Sequence, residues 1–354
     1  MSYHKPLSIG FYCYSVFNRG GDRLTVAYAN YLASVGHDVT LHVTEMDTVF
    51  EISPELKITS VDCSNRIGFL WYALTHNLGH DVVIVNIIHL HMLLSRHNRV
   101  VYYAQADDVE YYDGKLMRTL IDVLYRIYFK SSESMISMSQ HLTDIFSRRY
   151  SAKNMITIKT GIDHGAFYPE PDDELIGLKG KKKSVVLMAR GDAYRKGFDL
   201  SLQVLKSLGS EVAAGMELWV CGNTMCQDDF NFTMRNFGVV NDQRLRQILS
   251  SADIFFYPSR HEGFGLFPLE AMACGCVVMT TDAIPYAKES GIIKTSDVGD
   301  VASLRDELEA LLNESDEKIF EMKVQSINYA SLYDFSKSQI QFEQAIVTLQ
   351  EQAS

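Results

Sequence analysis

Two carboxylates and two cations stand where one ligand could meet them all. The stretch Pro258-Ser259-Arg260-His261-Glu262-Gly263-Phe264-Gly265-Leu266-Phe267-Pro268-Leu269-Glu270 ends a strand-like run, crosses a glycine-containing loop and opens a helix near Leu266. Gly263 and Gly265 let the backbone approach a ligand closely, and the unpaired N–H groups of a helix start suit an anion. Glu262 and Glu270 bracket the loop and are too far apart in sequence to pair locally, so they can grip different parts of one ligand. A surface acid and a helix acid around an ordinary turn would leave the same trace. In Ala189-Arg190-Gly191-Asp192-Ala193-Tyr194-Arg195-Lys196-Gly197 a buried strand stops at Arg190, and Lys196 stands just before the next helix. Ligands of open α/β sheets bind outside the carboxyl ends of the strands, where this loop falls. An isolated Arg/Lys pair is otherwise more often a solvated basic turn.

The elements that must carry these loops alternate along the chain. Leu7–Tyr14 is an apolar run broken at Asn18-Arg19-Gly20-Gly21. Asp22–Val35 has the helical period, with Leu24, Ala27, Tyr28, Tyr31, Leu32 and Val35, and ends at Gly36. Strands follow at His37–Val43, Asp81–Ile87, Arg99–Ala104, Ser134–Ser137 and Met155–Lys159, with an apolar helix at Lys115–Phe129. The charge-dense segment Glu170–Lys183 marks a domain boundary, so the reading is a first domain over 1–168 and a second over 169–354. The pattern then restarts: strand Ser184–Ala189, helix Asp199–Leu208, strand Glu217–Cys221, helix Asp242–Ser250, strand Ile254–Tyr257, helix Leu266–Ala273 and strand Val277–Thr280. Strand–helix alternation with short connections predicts an α/β fold: two facing Rossmann-like domains with parallel sheets and a cleft between them. Ile319–Leu349 reads as helices, with the last returning to the first domain.

Composition narrows the function. In 354 residues, 33 are Lys or Arg and 44 are Asp or Glu, a formal net charge of −11. That acid excess argues against a nucleic-acid binder. The charge is uneven: residues 1–168 hold 15 basic and 16 acidic side chains, and residues 169–354 hold 18 and 28. Ten of the eleven histidines lie in the first half, so the halves differ chemically as domains with different ligands would. No apolar run reaches the roughly 20 residues that span a bilayer. Six scattered cysteines read as reduced thiols, and the expectation is a cytoplasmic protein.

Taken together, these segments resemble the retaining nucleotide-sugar glycosyltransferases of family 4, which have the GT-B fold. The matching pieces are Glu262 and Glu270 with seven residues between, Arg190 with Lys196-Gly197, and Gly161-Ile162-Asp163 with Phe167 and Pro169. Gly20-Gly21 before the first helix and Gly36-His37-Asp38-Val39 after it match too, so the likeness runs over about residues 7–350. The resemblance implies a donor that is a UDP- or GDP-linked sugar and an acceptor hydroxyl on a saccharide, a lipid-linked saccharide or a small molecule. It implies that Arg190 and Lys196 hold the donor diphosphate, Glu270 the ribose and Glu262 the sugar hydroxyls. Backbone at Gly263, Phe264, Gly265, Leu266 and Phe267 would meet sugar and phosphate, Gly238 and Val239 would border the base, and Gly20 and Gly21 would close on the diphosphate. Alternatives of the same architecture are an epimerase, a phosphorylase, or a partner subunit without turnover.

Two segments depart from the family pattern. Where many members carry a histidine facing the reacting sugar, this chain has Tyr103-Ala104-Gln105-Ala106-Asp107-Asp108, which makes Gln105, Asp107 and Asp108 the acceptor-side candidates. Where many have a glycine-rich turn before Ile-Pro-Glu, it has Asp282-Ala283-Ile284-Pro285-Tyr286. No two aspartates are separated by one residue, so the Asp-x-Asp metal motif of the other major transferase fold is missing. The expectation is no metal and no cofactor beyond the donor itself. His89 and His91 would face one way from an extended segment, as a ligand pair or, more simply, a polar cleft wall. The Lys115–Lys130 helix is apolar on more than one face: a core helix, or a peripheral docking face for an acidic membrane.

Overall fold

The computed structural model describes residues 5–351 except 18, 64, 113, 131–134, 190–193 and 228–229. The first half contains β1 (Ser8–Val16), α1 (Gly20–Ser34), β2 (Asp38–Met46), β3 (Lys57–Ser60), α2 (Arg66–Thr75), β4 (Val82–Val85) and α3 (Ile88–Leu94). β5 (Val100–Ala104), a 3-10 turn at Asp108–Tyr111, α4 (Lys115–Lys130), β6 (Met135–Ser137), α5 (Gln140–Tyr150) and β7 (Met155–Thr157) follow. The second half begins with α6 (Asp173–Lys179), β8 (Lys183–Ala189), α7 (Phe198–Ser207), α8 (Ser210–Ala214), β9 (Met216–Gly222), β10 (Thr233–Gly238) and α9 (Asp242–Ser251). It continues through β11 (Ile254–Tyr257), α10 (Leu266–Ala273), β12 (Val277–Thr281), α11 (Ala287–Ser290), β13 (Lys294–Ser296), α12 (Val301–Asn313), α13 (Asp316–Ala330) and α14 (Phe335–Glu351).

The two sheets are parallel, ordered β3-β2-β1-β4-β5-β6-β7 and β10-β9-β8-β11-β12-β13. Central strands are covered on both faces, which is why Val82–Val85 and Ile254–Tyr257 are unbroken apolar runs with every residue buried. In the second sheet, Val185, Leu187, Leu218, Val220, Ile254 and Phe256 form the core with Leu304, Leu308 and Leu311 of α12.

The chain forms two compact units, 1–160 with 336–354, and 161–335. The charged segment after Glu170 therefore lies inside the second unit. Its charges are paired within the second unit: Asp172 with Arg244 (2.7 Å), Glu170 with Arg246 (2.6 Å) and Lys179 with Asp253 (2.6 Å). Gly161–Tyr168 also stands with the second unit, because Ile162 bridges Asp334 and Arg246 donates to the Ala166 carbonyl at 2.8 Å. From Ser336 onward α14 lies with the first unit. Phe342 stacks on Tyr28 at 4.1 Å, Tyr31 donates to Glu343 (3.0 Å), and Arg99 donates to the Gln350 carbonyl (2.9 Å).

Candidate active site

In a parallel sheet every loop that follows a strand leaves by the same edge, and ligands bind where the strand order reverses. In the second unit that point lies between β8 and β11. The loop after β8 carries Lys196 and the loop after β11 carries Glu262, and the two meet: Lys196 Nζ lies 2.6 Å from Glu262 Oε1. Tyr257 Oη donates to the same oxygen at 2.8 Å and Ser259 Oγ at 3.3 Å. Burial pushes the Glu262 carboxyl up, but the Lys196 ammonium, with help from Arg195 and the Tyr257 hydroxyl, holds it below the usual carboxylate range. The result is a buried, ionised carboxylate beside a cation.

The two loops are fastened to each other. The Arg260 N–H donates to the Arg195 carbonyl at 2.9 Å. The Arg260 guanidinium grips both oxygens of Asp199 at 2.5 and 2.6 Å and lies 4.1 Å from the Tyr194 ring centroid. Gly197 sits at φ +70° at the start of α7, and a Cβ there would overlap the Pro258 carbonyl oxygen. Lys196 thus follows the β11 loop rigidly, although 66 residues separate it from Glu262.

α10 begins at Leu266 behind Gly265, which takes φ +95°. Gly263, Phe264 and Gly265 are buried, Leu266 and Phe267 half-buried, and Glu270 is buried on the second turn. Gly238 ends β10, and Val239 is exposed in the loop that follows, two strands from β8 on the same edge. Arg190 lies outside the described residues.

The first unit also gathers its candidates at the carboxyl edge of its sheet. Gly20 and Gly21 open α1. Gln105, after β5, donates through Nε2 to the Gly21 carbonyl (3.1 Å) and to Thr25 Oγ1 (3.2 Å), and accepts from Asn86 after β4 (3.3 Å). Asp107 and Asp108 are instead buried and committed inward. Asp107 pairs with Arg149 at 3.0 Å. Asp108 accepts the Ile88 N–H at 2.7 Å and the Tyr102 hydroxyl at 3.3 Å, and burial pushes its carboxyl up to about 7. These two acids hold the loop after β5 in place, while Gln105 is half-buried with its amide bonded to Gly21, Thr25 and Asn86.

The histidine pair does not form. His89 and His91 lie in α3, where residues two apart point to different faces, and His91 is buried edge-on to Tyr128 at 4.7 Å. Among the described residues no group of three or more His, Cys, Asp or Glu could hold a metal ion. Residues missed in the sequence are Tyr257, Ser259, Asp199, Arg260, Asn86 and Tyr286. Tyr257 closes the apolar strand Ile254–Tyr257, so its hydroxyl hides inside a core pattern, and Asp199 and Arg260 are 61 residues apart with no local signal linking them.

Residues 172–330 match the glycosyl transferases of group 1. The chain is 27% identical over 186 residues to the N,N'-diacetylbacillosaminyl-diphospho-undecaprenol alpha-1,3-N-acetylgalactosaminyltransferase of Campylobacter jejuni, a match covering 48% of each protein. It thus spans about half the length of the curated relatives it matches. Among solved structures, WaaG, a glycosyltransferase involved in lipopolysaccharide biosynthesis, superposes with TM-score 0.76 at 17% identity, covering 94% of this chain and 97% of that one. The Anabaena protein Alr3699/HepE, solved with UDP and glucose, superposes with TM-score 0.73 at 14% identity, covering 97% and 100%. The fold of the chain is therefore GT-B.

Proposed function

We propose that this protein is a retaining, metal-independent glycosyltransferase of the hexosyltransferase class that uses a UDP- or GDP-linked sugar. The observation that carries the reading is the pair of half-buried Lys196 and buried Glu262 at the strand-order reversal, inside the segment that matches the group 1 glycosyl transferases. We assign Lys196 and Arg190 to the donor diphosphate, as the family resemblance implies. Their positive charge stabilises the negative charge that grows on the leaving phosphate, the work a metal ion does elsewhere. Three donors converge on Glu262 Oε1, so Oε2 is the oxygen that accepts a sugar hydroxyl. Glu270 takes the ribose, the α10 amides meet sugar and phosphate, and Val239 borders the base. In the transfer, the bond from the anomeric carbon to the diphosphate oxygen breaks and one to the acceptor oxygen forms. The acceptor's proton passes to the departing phosphate. Gln105 has no base to offer and orients the acceptor hydroxyl beside Gly21. The Campylobacter relative's named substrate, a diphospho-undecaprenol saccharide, favours a lipid-linked acceptor over a small molecule.

Thermal unfolding with UDP, GDP and ADP tests the donor site, because a ligand that binds only the folded state must stabilise it. One nucleotide at a hundred times its Kd adds about 2.7 kcal/mol, or roughly 5–10 °C for a unit of this size. The shift should vanish in Arg190→Ala. No shift with any nucleotide or its sugar conjugate would overturn the donor assignment.

A lipid-linked acceptor would be met at a membrane, and α4 has a face for one. No helix among the described residues is long and apolar enough to cross a membrane. Ile121, Tyr125 and Tyr128 bury one side of α4 in the first unit, as a core helix should. Leu116, Leu120, Val123 and Ile127 form a second apolar stripe that is exposed, Leu116 by 82%, and Lys115, Arg126 and Lys130 flank it. We place this stripe against the anionic inner face of a membrane, with the rest of the protein in the cytoplasm. Leu120→Glu with Ile127→Glu should reduce sedimentation with phosphatidylglycerol vesicles several-fold and spare nucleotide binding. Equal sedimentation of both proteins would remove α4 from the interface.

A further inference from the structure

Tyr286 lies between β12 and α11, outside the loops that carry Lys196 and Glu262, yet it reaches the donor loop from behind. Its ring is buried among Phe264 (5.5 Å between centroids), Tyr333 (5.6 Å) and Tyr329 (6.3 Å). Its hydroxyl donates to the Gly265 carbonyl oxygen. The Tyr329 hydroxyl in turn donates to the Tyr286 carbonyl at 3.4 Å and meets Tyr333 Oη at 3.0 Å.

The Gly265 carbonyl is half of a rigid unit. A peptide plane joins it to the Leu266 N–H, the first of α10, and the two point in opposite directions across that plane. Gly265, at φ +95° and without a Cβ, would otherwise leave this plane free to turn. A hydrogen bond that fixes the carbonyl therefore fixes the N–H as well. With Tyr286 holding the oxygen on one side, the Leu266 N–H is aimed to the other.

We propose that Tyr286 is a positioning residue of the donor site: by holding the Gly265 carbonyl it orients the Leu266 N–H toward a phosphate or sugar oxygen of a nucleoside-diphosphate sugar. This rests on the donor reading given above. Phenylalanine keeps the ring in its aromatic wall and removes only the hydroxyl. Tyr286→Phe should raise the donor KM about tenfold, the net size of one hydrogen bond, while kcat and the acceptor KM change less than twofold. Tyr329→Phe is the matched control, because it deletes a hydroxyl from the same wall but none that reaches Gly265.

The measurement is initial-rate kinetics against donor and acceptor separately, with melting temperatures alongside, using the nucleotide sugar that shifts the wild type. A donor KM unchanged in Tyr286→Phe overturns the assignment. So does a rise equal to that in Tyr329→Phe, which would report loosened packing alone. A wild type that binds no nucleotide sugar fails at an earlier step, and the donor reading falls with it.

Discussion

Lys196→Ala is expected to lower kcat by about 10²- to 10³-fold, the usual loss on removing one preorganised electrostatic contact to a developing charge. The same change leaves Glu262 buried beside Tyr257 and Ser259 without its cation. Removing one partner of a buried pair costs about 3–5 kcal/mol, and the two remaining hydroxyl donors place this case at the lower end. Loss of activity and loss of stability must therefore be separated. In Lys196→Ala combined with Glu262→Gln the uncompensated charge is gone, so the melting temperature should recover while turnover stays lost. Full activity in Lys196→Ala would sink the assignment of Lys196 to the diphosphate.

pH gives an independent sign. In the wild type the Glu262 carboxyl is held below its unfolded value, so its contribution to stability is present above that value and is lost as pH falls through the lowered one. Without Lys196, burial is the largest influence left on the carboxyl and raises it, against the Arg195 charge and the Tyr257 hydroxyl. Its contribution is then present in acid and lost as pH rises. The stability gap between wild type and Lys196→Ala should therefore shrink on acidification, which melting curves at pH 5 and pH 8 would show. A gap that is constant, or that widens in acid, would mean the pair does not govern Glu262.

Gly197→Ala is the second large effect. A left-handed residue with a Cβ costs about 1–2 kcal/mol by itself. Here the Cβ would also overlap the Pro258 carbonyl oxygen, which the bonds from Arg260 and Ser259 to the Arg195 carbonyl hold against the β8 loop. Gly291 has nearly the same φ, +68°, with open space around a Cβ, and so isolates the backbone cost. The expectation is about 1 kcal/mol for Gly291→Ala and about 3 kcal/mol or more for Gly197→Ala, a drop near 10 °C for a unit of this size. Lys196 is the neighbouring residue, so nucleotide binding should weaken in Gly197→Ala and not in Gly291→Ala. Equal melting temperatures for the two variants would mean that the β8 and β11 loops are not locked.

Much of this architecture is written locally. Each central strand must be apolar on both faces, and each surrounding helix needs one apolar stripe, so the parallel α/β class follows from periodicity alone. The start of α10 at Leu266 is equally local, because Gly265 and the apolar run after it act within one turn. The charge run after Glu170 shows the limit. By composition it marks a domain boundary, whereas in the fold Asp172, Glu170 and Lys179 find Arg244, Arg246 and Asp253 more than 70 residues away. His89 and His91 mark the same limit for secondary structure: a short apolar stretch reads as strand or helix, and in the fold it is α3, with His91 edge-on to Tyr128.

The site divides in the same way. Glu262, Lys196 and Gly21 are legible as types at suggestive places, because a carboxylate, a cation and a glycine at strand ends each leave a local mark. That Tyr257 and Ser259 share one oxygen of Glu262 with Lys196, that Asp107 and Asp108 turn inward while Gln105 stays at Gly21, and that Tyr286 holds the Gly265 carbonyl are pairings across many residues. Such partners carry no period and no spacing. They are chosen when the sheet order brings the ends of β8 and β11 side by side, and only the folded chain contains that choice.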